Sequence, residues 1–166
     1  MLGVSLLLCA APADGKKEYE IKAEFLYNFA HFTTWPEGTF ADENVEADGK
    51  DPIVFGILGT DPCEDFLDDI AKAFAVSGRK ILVKRWKNLA DLSTCHVLFV
   101  GRSMESHTKA LFKALEKKPV FSVSDLHGFA RHGGIARFTV ESGKVKFEIN
   151  LDAAKRAKLV ISSKLL

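Results

Sequence analysis

The sequence lacks a clear excess of charge of either sign. Its 23 Lys and Arg residues nearly balance its 22 Asp and Glu residues, so the formal net charge at pH 7 is +1. A protein that reaches nucleic acid or an anionic membrane through a global electrostatic field needs a positive excess. We therefore expect no nucleic acid partner. The 166 residues are 47% apolar and 27% charged, which is the composition of one globular domain.

The amino-terminal apolar run is also too short to cross a membrane. It covers residues 2–11, whereas a membrane-spanning helix needs about 20 apolar residues. The run lacks a preceding basic segment, but Ala11-Pro12-Ala13 supplies the small-x-small pattern that signal peptidase accepts. Lipidation at Cys9 is not expected because three leucines precede it. We predict a signal peptide at residues 1–13, a mature chain that starts near Asp14, and a periplasmic protein that does not span the membrane.

Motifs for catalysis and for cofactors are missing as well. Gly56-x-x-Gly59 does not complete a dinucleotide-binding fingerprint, and no phosphate-loop lysine follows it. A Gly-x-Ser-x-Gly nucleophile turn is absent. His127 and His132 are five residues apart, without a third ligand at a known metal-site spacing. We therefore predict no catalytic residues, no cofactor and no metal site.

Strand-like and helix-like segments alternate along most of the chain. Apolar residues at helical spacing predict a first helix over 18–32, and residues 37–51 have the acidic, glycine-containing composition of a surface loop. Alternating strands and helices are typical of a mostly parallel sheet. The predicted strands are 52–58, 80–86, 96–100 and 119–123, and the predicted helices between them include 62–74 and 103–115.

The spacing of apolar residues changes to a period of two after Gly133-Gly134. Residues 136–149 alternate apolar and polar side chains around a turn at 141–144, which predicts an antiparallel hairpin. Asn150 is placed to cap a short helix that runs to Ala157, and the apolar residues 159–166 must then dock on the domain or remain exposed. The predicted fold is a single α/β domain at residues 19–166, with a mostly parallel sheet flanked by helices and a C-terminal antiparallel hairpin.

Polar residues follow three of the predicted parallel strands. Ligands of such sheets bind in the crevice beyond the carboxyl ends of the strands. The alternative is that these residues only cap helices and stabilise turns, with Asp61 and Glu64 forming a capping box on a helix that starts at Pro62. The candidate residues for a small-ligand crevice are Thr60, Asp61, Arg102, Ser103, Ser124 and Asp125.

Two of the three cysteines, Cys63 and Cys95, remain after the predicted signal peptide. An exported protein can form disulfides, but these residues should lie at opposite ends of the sheet, whereas a disulfide needs Cα atoms within about 7 Å. A shifted register would still allow the bond. The other interpretations are that Cys63 is a reactive thiolate at a helix start, or that both thiols are inert core residues.

Aromatic residues are concentrated in and just after the first predicted helix. At helical spacing such residues are usually part of the core. Tyr27 and Trp35 fall off the main apolar stripe, and we predict that they lie nearest to a partner-binding surface.

Seven short segments of the chain resemble, in their residues and in their order, segments of a known protein family. They are residues 21–29 (IKAEFLYNF) with Phe32 and Trp35-Pro36, 56–59 (GILG) with Asp61-Pro62, 95–99 (CHVLF), 123–125 (VSD), Phe129 with 133–135 (GGI), 147–150 (FEIN) and 161–165 (ISSKL). Each segment alone is weak, but the ordered set resembles the YfiR family of periplasmic proteins from about Tyr19 to the end of the chain.

The resemblance implies a periplasmic α/β domain, often dimeric, that binds the periplasmic region of an inner-membrane diguanylate cyclase. By restraining the cyclase it would lower cyclic di-GMP and biofilm output without performing chemistry. Some relatives carry further cysteines near the Gly-Gly segment that form a redox-linked disulfide. Here Ala130, Ala136 and Arg137 occupy that stretch, so redox control of that kind is not expected.

Three functions therefore stand as alternatives from the sequence. The first is a regulator that binds a membrane signalling protein. The second is a periplasmic receptor for a small ligand at the strand-end crevice. The third is an enzyme, which would need a reactive group such as Cys63 or Ser122.

Overall fold

The computed structural model describes residues 15–40 and 50–166. The predicted signal peptide and most of the predicted loop at 37–51 lie outside these residues. The helices are α1 (Gly15–His31), α2 (Asp65–Ala73), α3 (Thr108–Ala114) and α4 (Leu151–Arg156), with 3₁₀ turns at Leu89–Asp91 and Arg102–His107. The strands are β1 (Thr33–Thr34), β2 (Ile53–Leu58), β3 (Ala75–Val76), β4 (Arg79–Trp86), β5 (Val97–Val100), β6 (Phe121–Ser124), β7 (Ala136–Glu141), β8 (Lys144–Ile149) and β9 (Val160–Ile161).

Seven of the described strands form one sheet in the order β3-β4-β2-β5-β6-β7-β8. The five strands from β4 to β7 are parallel, and an antiparallel strand lies at each edge. The chain leaves β2 towards β4 and later crosses to the other side of β2 to form β5. The strand order therefore reverses between β2 and β5, which is where ligands of open α/β sheets usually bind. The predicted α/β fold with its C-terminal hairpin is confirmed.

Helices cover both faces of this sheet, as the continuous apolar run of β2 predicts. Ile53, Phe55 and Ile57 face a hydrophobic cluster that includes α1, α2 and α4. Val54 and Leu58 face a second cluster that includes α3. Because successive side chains of a strand point to opposite faces, one short strand joins the two halves of the core.

The first helix is held by its aromatic stripe. Phe29 is fully buried, and its ring lies 5.0 Å from that of Phe121 and 5.7 Å from that of Phe138 (centroid distances). Phe25 lies 5.2 Å from Phe147 in an edge-to-face arrangement. Burying a side chain of this size contributes about 1.5–3 kcal/mol. The prediction that this stripe is core is confirmed.

The predicted start of the second helix is wrong. The helix begins at Asp65 and not at Pro62, because Glu64 has a φ of 44° that no α-helical residue adopts. Asp61 instead closes the preceding turn, where Oδ1 accepts hydrogen bonds from the backbone N–H groups of Cys63 and Glu64. The predicted capping box is therefore absent. Phe74, the last residue of the predicted helix, lies just after α2 and is 54% exposed.

The predicted helix over 103–115 is a 3₁₀ turn, Arg102–His107, followed by α3. The C-terminal predictions are confirmed. β7 and β8 form the hairpin, and the Asn150 side chain caps α4 by accepting from the backbone N–H of Ala153. The final apolar segment docks: Val160–Ile161 pairs antiparallel with Thr33–Thr34, while Leu165 is buried. In the described ranges, no helix has the length and apolar content of a membrane span.

Candidate functional site

The turns that follow β2 and β5, where the crevice is predicted, contact each other. The backbone N–H of Thr60 donates a hydrogen bond to Ser103 Oγ at 2.9 Å, which joins the turn after β2 to the turn after β5. A Cβ atom added to Gly101 would collide with the backbone of Thr60, so the two turns are in direct contact.

The turn after β6 is also bonded internally. Ser124 is fully buried; its Oγ donates to the Val100 carbonyl at 2.7 Å and accepts from the backbone N–H of Leu126 at 3.1 Å. Asp125 Oδ1 lies 3.3 Å from Nε of the exposed Arg102. The six candidate crevice residues thus come together at the carboxyl edge, where their side chains and backbone groups bond to other protein groups.

A buried lysine at this edge is the feature that sequence reasoning missed. Lys22 of α1 has a side chain only 1% exposed, and its Nζ lies 3.1 Å from Asp125 Oδ2 and also contacts Glu18. Tyr19 donates its hydroxyl to the same Asp125 oxygen at 2.8 Å, and its ring lies 4.3 Å from Lys22 Nζ. The signal was present in the sequence, because Lys22 occupies the buried face of α1 with Phe25, three residues along.

The charges of this network shift the pKa values of its members. Burial alone would raise the pKa of Asp125, but the hydrogen bond from Tyr19 and the positive charge of Lys22 hold it below its usual value. Burial and the bond to Asp125 raise the pKa of Tyr19. Asp125 is therefore an ionised, buried carboxylate that holds α1 against the carboxyl edge of the sheet.

Asp61 belongs to a second ion-pair group on the same side of the sheet. Its Oδ2 lies 2.6 Å from Nε of Arg85, and NH2 of Arg85 lies 2.5 Å from Asp68 Oδ2. The pairing raises the pKa of Arg85, above all through its hydrogen bond to Asp68. Arg85 of β4 thus joins Asp61, in the turn before α2, to Asp68 of α2.

The two cysteines are free and lie on opposite faces of the sheet. Cys63 belongs to the cluster under α1 and α2, whereas Cys95 belongs to the cluster under α3. Cys63 also follows β2, whereas Cys95 precedes the parallel strand β5, so the two residues lie at opposite ends of these strands, as the sequence predicts. Both thiols are buried, and burial raises the pKa of each to about 12, which favours the interpretation of both as inert core residues.

Tyr27 and Trp35, predicted near a partner surface, have different surroundings. Trp35 donates its indole N–H to the Pro119 carbonyl at 2.9 Å and is packed into the fold. Tyr27 of α1 is partly buried, and its ring is 5.2 Å from the ring of the exposed Phe74. A groove of about 320 Å³ lies between α1 and α2, and Phe74 supplies part of its lining.

A second, smaller cavity of about 200 Å³ lies beside α3. Its lining includes Glu105, His127 and His132. No group of three metal-binding side chains occurs within residues 15–40 and 50–166.

The fold and this edge define a three-layer α/β domain in which strand-end polar groups hold the helices in place. The sequence model of the YfiR/HmsC-like family matches residues 19–166, which is most of the chain. The chain therefore belongs to the YfiR/HmsC-like family. A search of curated proteins finds no match.

Proposed function

We propose that this chain is a periplasmic regulatory protein that binds the periplasmic region of an inner-membrane diguanylate cyclase and restrains it. Through that contact it lowers cyclic di-GMP and with it biofilm output. The observation that carries the proposal is the family match over residues 19–166. Export through a signal peptide at residues 1–13 and assembly into a homodimer belong to the same proposal.

The geometry of the carboxyl edge supports a binding role over that of a small-ligand receptor. The turns after β2 and β5 contact each other through Thr60, Gly101 and Ser103. Asp125 is engaged by Lys22 and Tyr19. These polar groups form hydrogen bonds with one another. We therefore place the partner-binding surface elsewhere on the exterior of the domain.

Cyclic di-GMP in the source bacterium tests the proposal. A strain without the gene should contain several times more cyclic di-GMP than the parent, and the full chain should restore the parental level. A chain that lacks residues 1–13 is the control and should fail to restore it, since it cannot reach the periplasm. Equal cyclic di-GMP with and without the gene would contradict the proposal.

A further inference from the structure

The groove between α1 and α2 combines an apolar floor with acidic walls. Its volume is about 320 Å³. The lining residues are Glu20, Glu24, Phe66, Asp69, Ile70, Ala73 and Phe74. Three of the seven are carboxylates and the other four are apolar, which is a pattern that fits an amphipathic partner.

Phe74 is the feature that makes this groove unusual. At 54% exposed, it is one of five large apolar side chains that the described residues leave open to solvent, and it contacts the ring of Tyr27. Large aromatic side chains that are exposed beside a groove are typical anchors of protein interfaces. Tyr27 of α1 is not among the lining residues, but its ring lies 5.2 Å from that of Phe74.

The charge around the groove is predominantly negative. Three of its lining side chains are carboxylates, and none of the lining residues is basic. Lys72 lies 3.5 Å from Asp69, but both side chains are more than two-thirds exposed. An exposed ion pair of this kind contributes little to stability. Lys16 sits 5.9 Å from the ring of Phe66. The complementary surface is therefore apolar with positive charges at its margins.

We propose that this groove binds a cationic amphipathic segment of the partner protein. Apolar side chains of that segment pack on Phe66, Ile70 and Phe74, while its Lys or Arg side chains lie against Glu20, Glu24 and Asp69. The inference rests on the proposed function, because it takes the periplasmic region of the cyclase as the source of the segment. The partner thus contacts α1 and α2, whereas the polar residues at the carboxyl edge of the sheet hold the fold together.

Two groove variants and two matched controls test the inference in the bacterium. Phe74→Ala removes the exposed anchor, and Glu24→Lys reverses one charge; Leu151→Ala and Glu116→Lys make the same changes at exposed positions elsewhere. All four positions are exposed, so the variants should unfold within a few degrees of the wild-type protein. The groove variants should lose most of the ability to lower cyclic di-GMP, and the controls should keep it.

Each result bears on one proposal. If the wild-type chain lowers cyclic di-GMP and the groove variants lower it equally, the groove is not the docking site, although the proposed function stands. If the wild-type chain has no effect on cyclic di-GMP, the proposed function fails.

A peptide probe tests the chemistry of the groove separately. A 14-residue amphipathic peptide of Lys and Leu is titrated into the purified mature chain, and a peptide with Glu in place of Lys is the control. The Lys peptide should shift the amide resonances of Glu20, Glu24, Asp69 and Phe74 and should bind at least tenfold more weakly to Glu24→Lys. Salt should weaken its binding. Equal shifts with both peptides, or shifts confined to another surface, would overturn the assignment.

Discussion

Lys22 links the first helix to a distant part of the chain through a buried ion pair. It is buried beside Asp125, which is 103 residues away in the chain. Two opposite charges taken out of water gain little net stability as a pair, but removal of one partner leaves the other charge buried and uncompensated. The pair therefore fixes where α1 sits on the sheet.

We predict that Lys22→Met lowers the free energy of unfolding by about 3 kcal/mol, because the charge of Asp125 stays buried without its main partner. This value is at the lower end of the range for broken buried pairs, since Tyr19 and Arg102 still contact Asp125. Urea unfolding measures it. The exposed Lys17→Met is the control and should change stability by less than about 0.5 kcal/mol. The double variant with Asp125→Ala should cost less than the sum of the two single changes. An additive double variant would show that the pair is not coupled.

A second buried polar residue, His96, makes stability depend on pH. Its Nδ1 accepts a hydrogen bond from the backbone N–H of Val54 at 2.9 Å, and its ring stacks on Phe40 at 4.5 Å. Burial, with a smaller effect of Arg79, lowers the pKa of His96 to about 4. The unfolded chain takes up this proton near pH 6.5, so the unfolded state binds more protons between about pH 6.5 and 4. Stability therefore falls as the pH falls through this range.

We predict that acidification from pH 7 to pH 5 costs the wild-type protein about 2 kcal/mol through His96 alone. His96→Asn keeps an acceptor for Val54 and removes the titration, so most of this loss should disappear. The exposed His107→Asn is the control and should retain the wild-type slope. Urea unfolding at the two pH values measures the difference. A slope that is unchanged in His96→Asn would contradict the assignment.

At the scale of elements, the hairpin of β7 and β8 depends on its two-residue turn. Glu141 pairs with Lys144, and the residues between them, Ser142 and Gly143, have φ values of 51° and 72°. Two successive residues with positive φ form the turn that matches the twist of hairpin strands, and Asn-Gly is its favoured sequence. Ser142 therefore occupies a position that suits Asn better.

We predict that Ser142→Asn raises the free energy of unfolding by about 0.5 kcal/mol and that Gly143→Ala lowers it by about 1 kcal/mol, because only glycine and asparagine adopt positive φ at low cost. Thermal unfolding gives both values. Ser93→Asn is the matched control, since Ser93 is exposed and is not among the residues with positive φ. Changes of equal sign in the two turn variants would rule out this turn geometry.

The elements also show where local patterns failed. Asp61, Pro62 and Glu64 have the sequence of a helix start, yet α2 begins only at Asp65. Asp61 is engaged instead by Arg85 of β4, a contact with a residue 24 positions away. Capping preferences of a few residues are worth about 1 kcal/mol, and a tertiary ion pair together with packing can outweigh them.

At the scale of the whole molecule, the reactivity of the two cysteines measures how well each half of the core is shielded from solvent. Cys63 is 0% exposed in the cluster under α1 and α2, and Cys95 is 4% exposed in the cluster under α3. Burial raises the pKa of both thiols to about 12. A thiol that is both protonated and shielded reacts only when the surrounding structure opens.

We predict that a chain starting at Asp14, which keeps only these two cysteines, shows no fast thiol reaction in its native state and two reactive thiols in denaturant. A colorimetric disulfide reagent counts both. Reductant should leave the unfolding temperature unchanged, since the two sulfurs are free. Cys63→Ala is the control and should show one reactive thiol in denaturant. Rapid native labelling of either residue would contradict the described core.

The sequence by itself determined the class of fold and the family. The apolar run of β2, the aromatic stripe of α1, the alternation of β7 and β8, and the Asn150 cap are local patterns whose periods follow directly from backbone geometry. The family match covers residues 19–166, which include all of these patterns. These features could be predicted because neighbouring residues alone specify them.

Only the tertiary structure decided how the polar residues at the carboxyl edge are used and where an open groove remains. The pairing of Lys22 with Asp125 and the contact of Thr60 with Ser103 join residues far apart in the chain, and local periodicity carries no information on such pairs. The exposure of Phe74 is likewise set by tertiary packing, since the helical spacing of the sequence would bury it. Long-range packing places these side chains, and it does so after the local elements have been specified.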